Sequence, residues 1–314
     1  MPKPIITIDD FSYGISGDKT IPAKNAFAFG AGIDIHTDEG VLQASQRLVK
    51  DAESTLTTGE ISTATPYWMQ SYEQLGSGNA VVWALLGDGK IYARIKSSPT
   101  NRWNLVHANT QTTNRGGFKA IGNTLYYASD AYLGRTLNTT LAKDDTAGSL
   151  SLALASIGNI PASGDVVVGK TVISYTSTSV SSTGTTLYLH GLTRPAYGTS
   201  DAAHTSGDVI IGFHDTFQIF KAQDNLYHPI ESYVGKVCVG DGRYVATWDN
   251  ASTWDNVALT LAEGYRISSS RVFGDNLALG TYQGTDFHSF PGKLFTWDGV
   301  SGLPTEAVSP QEGI

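Results

Sequence analysis

The residues that could carry out chemistry are scattered along this chain of 314 residues. A zinc site needs His or Cys ligands at short spacings, such as HxxxH, HExxH or CxxC. The seven histidines form none of these patterns, and the one cysteine, Cys238, lies between valines in GKVCVGDG, where a buried and unreactive thiol is expected. No P-loop, dinucleotide fingerprint or GxSxG elbow occurs. The sequence therefore predicts neither a metal nor a cofactor.

Carboxylates are the next candidates, because glycoside hydrolysis uses a pair of them. Asp88, Asp241 and Asp275 lie in glycine-rich segments, where a side chain that caps its own turn is the ordinary expectation. The acidic loops 34–40 (DIHTDEG) and 249–256 (DNASTWDN) lack the spacing of known calcium loops and are interpreted as turns. A catalytic site assembled from distant segments stays open, but the pattern favours a protein that is not an enzyme.

Two tryptophans are the best candidates for a contact surface. Trp103 (PTNRWN) and Trp254 (NASTWDN) stand in polar segments that we interpret as loops, where an indole can stack on a sugar ring or on a partner protein. Trp83, Trp248 and Trp297 lie within apolar segments of strand character, so we expect them to fill space between sheets.

Composition and charge exclude two classes of partner. The 21 basic and 29 acidic residues give a formal net charge of −8, and no run of Lys or Arg provides the clustered cations that a phosphate backbone requires. No apolar run reaches the roughly 18 residues of a membrane helix, and the first residues, MPKPIITIDD, lack a signal-peptide core. We therefore expect no nucleic acid partner, no membrane association and synthesis in a cytoplasm.

A recurring hairpin pattern predicts the fold class. GDGKIYARI (87–95) has a near twin in GDGRYVATW (240–248), and looser relatives begin at Ala120, Val272 and Phe290. A short Gly/Asp turn followed by alternating apolar residues is a strong hairpin signal. The units recur at intervals compatible with blades of about 40 to 50 residues. The sequence thus predicts an all-β, propeller-like body, with a β-sandwich as the alternative.

A different region, rich in Ser and Thr, separates two groups of hairpins. Turns at 161–164 and 182–184 divide it into short strand candidates, which suggests a β module inserted into a blade loop. We predict an extended N-terminal arm with a hairpin over 1–60, blades over 61–142 and 213–314, and the inserted module over 143–212. The predicted module strands cover 150–154, 165–168, 171–176, 186–189 and 209–212.

The inserted module resembles a small β module of bacteriophage tail and other virion proteins. The resemblance is carried by four elements in order: PASG at 161–164, VISYT at 172–176, GLTR at 191–194 and GTSDAAHTSG at 198–207. The N-terminal segment, with DDFSYGI at 9–15, also resembles the start of phage structural proteins. Within the module we expect Arg194 to pair with a carboxylate such as Asp201, and His204 to hold the loop in place structurally.

The resemblance implies a virion component, most plausibly associated with the tail. We expect a structural protein without enzyme activity, assembled in the host cytoplasm, whose partners are other virion subunits and copies of itself. A propeller that binds glycans on the host surface through Trp103 and Trp254 is the first alternative, and a propeller glycoside hydrolase is the second.

Overall fold

The computed structural model describes residues 33–35, 42–44, 66–71, 80–86, 89–96, 101–108, 117–156, 160–197, 199–223, 227–284 and 292–308. Every regular element in these ranges is a β-strand, which confirms the predicted all-β class. No helix in these ranges is long and apolar enough to cross a membrane.

The strands, numbered in chain order, are β1 (Ile33–Ile35), β2 (Leu42–Ala44), β3 (Pro66–Ser71), β4 (Ala80–Leu86), β5 (Lys90–Lys96), β6 (Asn101–Ala108), β7 (Phe118–Ile121), β8 (Thr124–Ala128), β9 (Tyr132–Thr140), β10 (Ser151–Leu154), β11 (Gly164–Val168), β12 (Thr171–Tyr175), β13 (Ser177–Val180), β14 (Leu187–His190), β15 (Val209–Ile219), β16 (Ile230–Tyr233), β17 (Lys236–Asp241), β18 (Tyr244–Trp248), β19 (Trp254–Thr260), β20 (Tyr265–Phe273), β21 (Asn276–Gln283), β22 (Leu294–Trp297) and β23 (Thr305–Val308).

The chain divides into two compact units, residues 1–52 with 310–314 and residues 53–309. In the first unit, β1 and β2 pair antiparallel with Ile33 opposite Ala44. This pairing confirms the hairpin that the sequence predicts within the N-terminal segment.

Four sheets in the second unit follow one another along the chain. The first sheet (β3 to β6), the third (β16 to β19) and the fourth (β20 to β23) are four-stranded antiparallel meanders. The second is the large sheet, which begins with β7, β8 and β9 in the same way. The first strands are in contact in succession, β3 with β7, β7 with β16 and β16 with β20. This succession is the arrangement of consecutive propeller blades.

The central strands of these sheets are apolar on both faces because each sheet lies between two cores. In β8, Leu125 and Tyr127 pack towards Trp83 and the first sheet, whereas Tyr126 and Ala128 pack towards the third. A side-chain period of two sends successive residues to opposite faces, so a strand between two cores is apolar throughout. In the third sheet, β17 and β18 divide their apolar residues between two cores in the same way.

The two GDG segments lie at the ends of hairpins. In the first, β4 pairs with β5 with Leu85 opposite Ile91, and the predicted turn-capping residue Asp88 lies outside the described residues. In the second, β17 continues through Gly240 and Asp241, and Gly242 with Arg243 forms the turn. Asp241 is thus the last strand residue before the turn, and its predicted turn-capping role stays a prediction. Asp241 is a fully buried strand residue whose Oδ2 accepts a hydrogen bond from the Ala222 amide at 2.7 Å.

The region predicted as an inserted module forms a small sandwich that shares a sheet with a blade. Its strands β12 and β11 join β15, and β15 joins β9, so that one sheet runs β12-β11-β15-β9-β8-β7. The second layer is the sheet β10-β14-β13. A core that includes Leu152, Leu189 and Ile173 fills the space between the layers.

All five predicted module strands are present. The sequence missed β13 (Ser177–Val180), whose polar and largely exposed residues lack apolar alternation. It also predicted an end at residue 212 for the last strand, but β15 continues to Ile219 and pairs with β9 on both sides of a bulge between His214 and Gln218. The division of the chain at residues 60, 142 and 212 stays a prediction.

Gly134 in β9 provides a test of the packing beneath the large sheet. A Cβ at this position would overlap the ring of Tyr127, which is buried and has no free space to move into. We expect Gly134→Ala to lower the free energy of unfolding by about 1–3 kcal/mol, as overpacking of a core does. Chemical denaturation followed by tryptophan fluorescence measures the change.

Gly212 in β15 is the matched control, because it is a buried strand glycine of the same sheet. A Cβ there would meet no atom closer than 3.6 Å. Gly212→Ala should therefore change the free energy of unfolding much less than Gly134→Ala. Equal losses in the two variants would contradict the packing described around Tyr127.

Candidate functional site

Arg194 is the centre of a buried ion-pair cluster in the module. Its Nη1 donates to Asp145 Oδ2 at 2.5 Å, and its Nε donates to Asp201 Oδ1 at 2.8 Å. Its Nη2 donates to the carbonyl oxygen of Ala202 at 2.9 Å. Only 3% of the Arg194 side chain is exposed. The guanidinium thus binds two carboxylates from separate segments, and the pair with Asp201 is the one that the sequence suggested.

The same cluster fixes the loop that contains His204. The backbone of His204 exchanges two hydrogen bonds with that of Asp145, and its ring Nε2 lies 3.2 Å from Thr171 Oγ1. Burial lowers the pKa of His204, so the ring is neutral at pH 7. These contacts suit a structural role. That role for Arg194 and His204 stays a prediction, and Gly198, the start of the predicted loop, lies outside the described residues.

Gly191 explains one position of the GLTR motif. Its φ of +63° is in the left-handed region, and a Cβ there would overlap the hydroxyl of Thr176. Glycine adopts this conformation without steric cost. The turn after β14 therefore requires glycine three residues before Arg194.

A second cluster, centred on His107, joins the first sheet to the module and to β15. His107 Nδ1 lies 3.1 Å from Asp165 Oδ2, and its Nε2 contacts Asp215 Oδ1. The ring stacks on Phe213 with 4.6 Å between centroids and 6° between planes. Tyr127 donates to Asp215 at 3.2 Å. His107 is fully buried, so one imidazole connects three parts of the chain.

Asp165 is shared among several donors. Ser174 Oγ donates to its Oδ1 at 2.6 Å, and the Tyr197 hydroxyl donates to its Oδ2 at 3.2 Å. Burial raises the pKa of Asp165, but the hydrogen bonds from His107 and Ser174 outweigh burial and lower it overall. Asp165 is therefore ionised at neutral pH.

The charge state of His107 determines what this cluster can do. Burial lowers the pKa of His107, but hydrogen bonds to Asp165 and Asp215 outweigh burial and raise the pKa to about 9. At pH 7 the ring is an imidazolium that donates through both nitrogens, so it has no lone pair with which to act as a base. Ser174 bonds to Asp165 rather than to the ring. The arrangement is a charged cross-link and not a nucleophile with its base.

The structure places both candidate tryptophans in strands, so their predicted loop positions are wrong. Trp103 lies in β6 opposite Arg94. Trp254 begins β19 opposite Trp248, is half-buried, and packs near Phe220 with 6.2 Å between ring centroids. Trp254 thus contributes to the core between the second and third sheets. A contact surface that includes either residue stays a prediction.

The acidic loop at 249–256 uses its first carboxylate to hold the turn. Asp249 Oδ1 accepts hydrogen bonds from the amides of Thr253, Ala251 and Ser252, each at 2.9 Å, and these bonds lower its pKa to about 2. This is the ordinary turn that the sequence suggested. Nothing is described for 36–40 of the other acidic loop. Within the described ranges, no group of three or more His, Cys, Asp or Glu could hold a metal.

Cys238 is the buried thiol that the sequence predicts, with 2% of the residue exposed. Burial raises the pKa of the thiol to about 12. The reactive thiolate is therefore essentially unpopulated at neutral pH.

The sequence offered no signal for the His107 cluster. His107 and Asp165 are 58 residues apart, and His107 and Asp215 are 108 apart. Each residue stands in an ordinary strand pattern, and only the packing of the first sheet against the module brings them together.

Comparison with known proteins adds one distant likeness. No protein family model matches the chain, and no curated protein matches it in sequence. Among solved structures, the chain is similar to the phage phi92 endosialidase at 13% sequence identity with a TM-score of 0.30. The match covers 76% of this chain and 48% of that protein, so it spans about half of the endosialidase. A likeness at this level supports no conclusion about activity.

Proposed function

We propose that this chain is a structural protein of a bacteriophage virion, associated with the tail, and that it acts without enzyme activity by contacting other virion subunits and copies of itself. The phage assignment rests on the resemblance of residues 161–207 to a module of virion proteins. The contact role rests on one observation, an apolar surface at the tips of the last two sheets.

Three turns place large apolar side chains at this surface. Tyr233 brings the turns together, because its hydroxyl donates to the carbonyl oxygen of Asp275 and its ring lies beside Gly299. The exposed side chains, named here the apolar turn patch, are Val234 (63% exposed), Phe273 (78%), Val300 (85%) and Leu303 (78%). Exposed apolar groups gathered at one place mark a surface for protein contact.

The buried charged groups of the chain also favour a structural role. The imidazole of His107 and the guanidinium of Arg194 are each bound by two carboxylates. Such groups stabilise junctions between segments and are not free to bind or protonate a substrate. Rigid junctions suit a subunit that must keep its shape in an assembly.

Self-association tests the contact role. Sedimentation velocity of the full chain should show a mass that rises with concentration, and Phe273→Asp should weaken this association by at least tenfold, as loss of a central interface residue does. Leu150→Asp is the control, because Leu150 is equally exposed but lies before β10 in the module. A monomer at every concentration would contradict self-association through this patch.

Three further measurements separate the alternatives. Electron cryo-microscopy of particles that contain the chain should place it in the tail. A panel of fluorogenic glycosides should show no turnover, and hydrolysis of any of them would overturn the proposal that the protein is not an enzyme. Binding to a glycan array that is lost in Trp254→Ala would instead support the glycan-binding alternative.

A further inference from the structure

A cavity with a volume of about 450 Å³ lies between the large sheet and the turn that precedes β11. Its lining residues are Arg135, Ile160, Pro161, His214 and Phe217. The volume falls within the range of about 300 to 1,000 Å³ that small-molecule sites occupy. We call it the Arg135 cavity. It shares no residue with the apolar turn patch.

Strand pairing places Tyr126 and the two polar lining residues, Arg135 and His214, in one row across three strands. Arg135 in β9 lies directly opposite Tyr126 in β8 and directly opposite His214 in β15. Directly opposed residues share one face of a sheet with Cβ atoms about 5 Å apart. The backbone position of Arg135 is therefore fixed by the strand register of the sheet.

Among the described residues, Arg135 has aromatic neighbours and a hydrogen bond with the Tyr126 hydroxyl but no carboxylate partner. Its guanidinium carbon lies 3.6 Å from the ring centroid of Phe217 and 5.7 Å from that of Trp248. Within the described part of the chain, its Nε is buried without a hydrogen-bond partner. Burial lowers the pKa of Arg135 and the Tyr126 hydroxyl raises it, and no carboxylate contributes.

Neither Asp215 nor Asp130 is paired with Arg135. Asp215 follows His214 in the chain, but its carboxylate bonds to His107 and Tyr127. Asp130 has one buried carboxyl oxygen without a described partner, and burial alone raises its pKa to about 6. An arginine would lower that pKa if it were in contact. A partly buried cation without a carboxylate partner among the described residues is costly, which points to an anion that binds beside it.

His214 adds an imidazole ring to the cavity lining. Its Nδ1 is buried and has no hydrogen-bond partner among the described residues. Burial and the charge of Arg135 lower the pKa of His214, so the ring is neutral at pH 7. A neutral imidazole can donate one hydrogen bond to an anion.

We propose that the Arg135 cavity binds a small organic carboxylate, with the anionic head on the Arg135 guanidinium and the carbon skeleton against Phe217. The planar fork of an arginine matches the two oxygens of a carboxylate. Ile160 and Pro161 supply the apolar wall that distinguishes an organic acid from an inorganic anion. His214 supplies the additional polar contact.

Benzoate is a suitable probe because it combines a carboxylate with an apolar ring, and benzamide has nearly the same shape without the charge. NMR signals of the His214 ring in the full chain should shift saturably with benzoate in the millimolar range. Benzamide should bind at least tenfold more weakly, because a charge-assisted pair is lost. Inorganic phosphate should also bind more weakly, since it cannot use the apolar wall.

Substitutions locate the binding site. Arg135→Gln should abolish the shift, and Arg135→Lys should weaken binding because an ammonium lacks the fork. Arg271→Gln is the control, since Arg271 is 80% exposed and lies outside the cavity. Absence of a saturable shift in the unmodified chain, equal binding of benzamide, or unchanged binding in Arg135→Gln would each overturn the proposal. If Arg135→Gln does not fold, the comparison of benzoate with benzamide decides alone.

Discussion

Replacing His107 by glutamine should lower the free energy of unfolding by about 3 kcal/mol. The substitution leaves Asp165 and Asp215 without the cation that both contact. Breaking a buried ion pair typically costs about 3–5 kcal/mol, and we expect the lower end because 38% of the Asp215 side chain is exposed and water can hydrate it. Urea denaturation at pH 7 measures the loss.

The pH dependence of stability distinguishes the charged cross-link from simple packing. The pKa of His107 is raised from 6.5 to about 9 in the folded chain. Between these values the folded state binds more protons than the unfolded state, so the free energy of unfolding falls as pH rises. The contribution of His107 is complete below pH 6.5 and is lost as pH rises through about 9. His107→Gln should remove this part of the pH dependence.

Two controls accompany the His107 variant. His190→Gln changes a half-buried histidine whose ring Nε2 lies 2.8 Å from Ser179 Oγ, and this substitution should cost about 1 kcal/mol or less. Adding Asp165→Asn to His107→Gln removes one of the two uncompensated charges and should recover part of the loss. A His107 variant as stable as the His190 variant would show that the cross-link contributes little.

Replacing Arg194 by glutamine should lower the free energy of unfolding by about 3–5 kcal/mol. Asp145 loses its cation while only 4% of its side chain is exposed, and Asp201 loses a second bond. Hydrogen exchange should locate the loss in β10, β14 and the segment 199–207. Arg194→Lys should recover only part of it, because an ammonium cannot bind both carboxylates and the Ala202 carbonyl in the same geometry.

Acid sensitivity provides the second readout for Arg194. Burial raises the pKa of Asp201, but the bonds from Arg194 and the Gly148 amide outweigh burial and lower it overall. A depressed folded pKa gives stability above the unfolded value of about 4 that is lost as pH falls through the folded value. Arg194→Gln should reduce this loss. Arg271→Gln, at an exposed arginine, should change neither stability nor acid sensitivity by much.

Local signals determined much of the fold. The turns at Gly122-Asn123 and Gly274-Asp275 form the predicted hairpins, with Ile121 opposite Thr124 and Phe273 opposite Asn276. Both turns place a glycine at positive φ, which only a few residue types tolerate, so sequence and conformation are tightly linked there. The same reasoning located the module strands and the buried position of Cys238.

Long-range packing determined the rest. Asp241 lies in a strand, and its carboxylate accepts a hydrogen bond from the Ala222 amide, which lies in a separate segment. Trp254 became a core residue because Phe220 packs beside it.

The sequence by itself determined the strand content, the hairpin turns and the pairing of Arg194 with Asp201, which lies seven residues away. Only the tertiary structure decided the His107 cluster, the sheet shared by blade and module, and the Arg135 cavity. The reason is physical. Turn geometry and strand alternation depend on neighbouring residues, whereas the environment of a buried charge depends on side chains that folding brings together from distant parts of the chain.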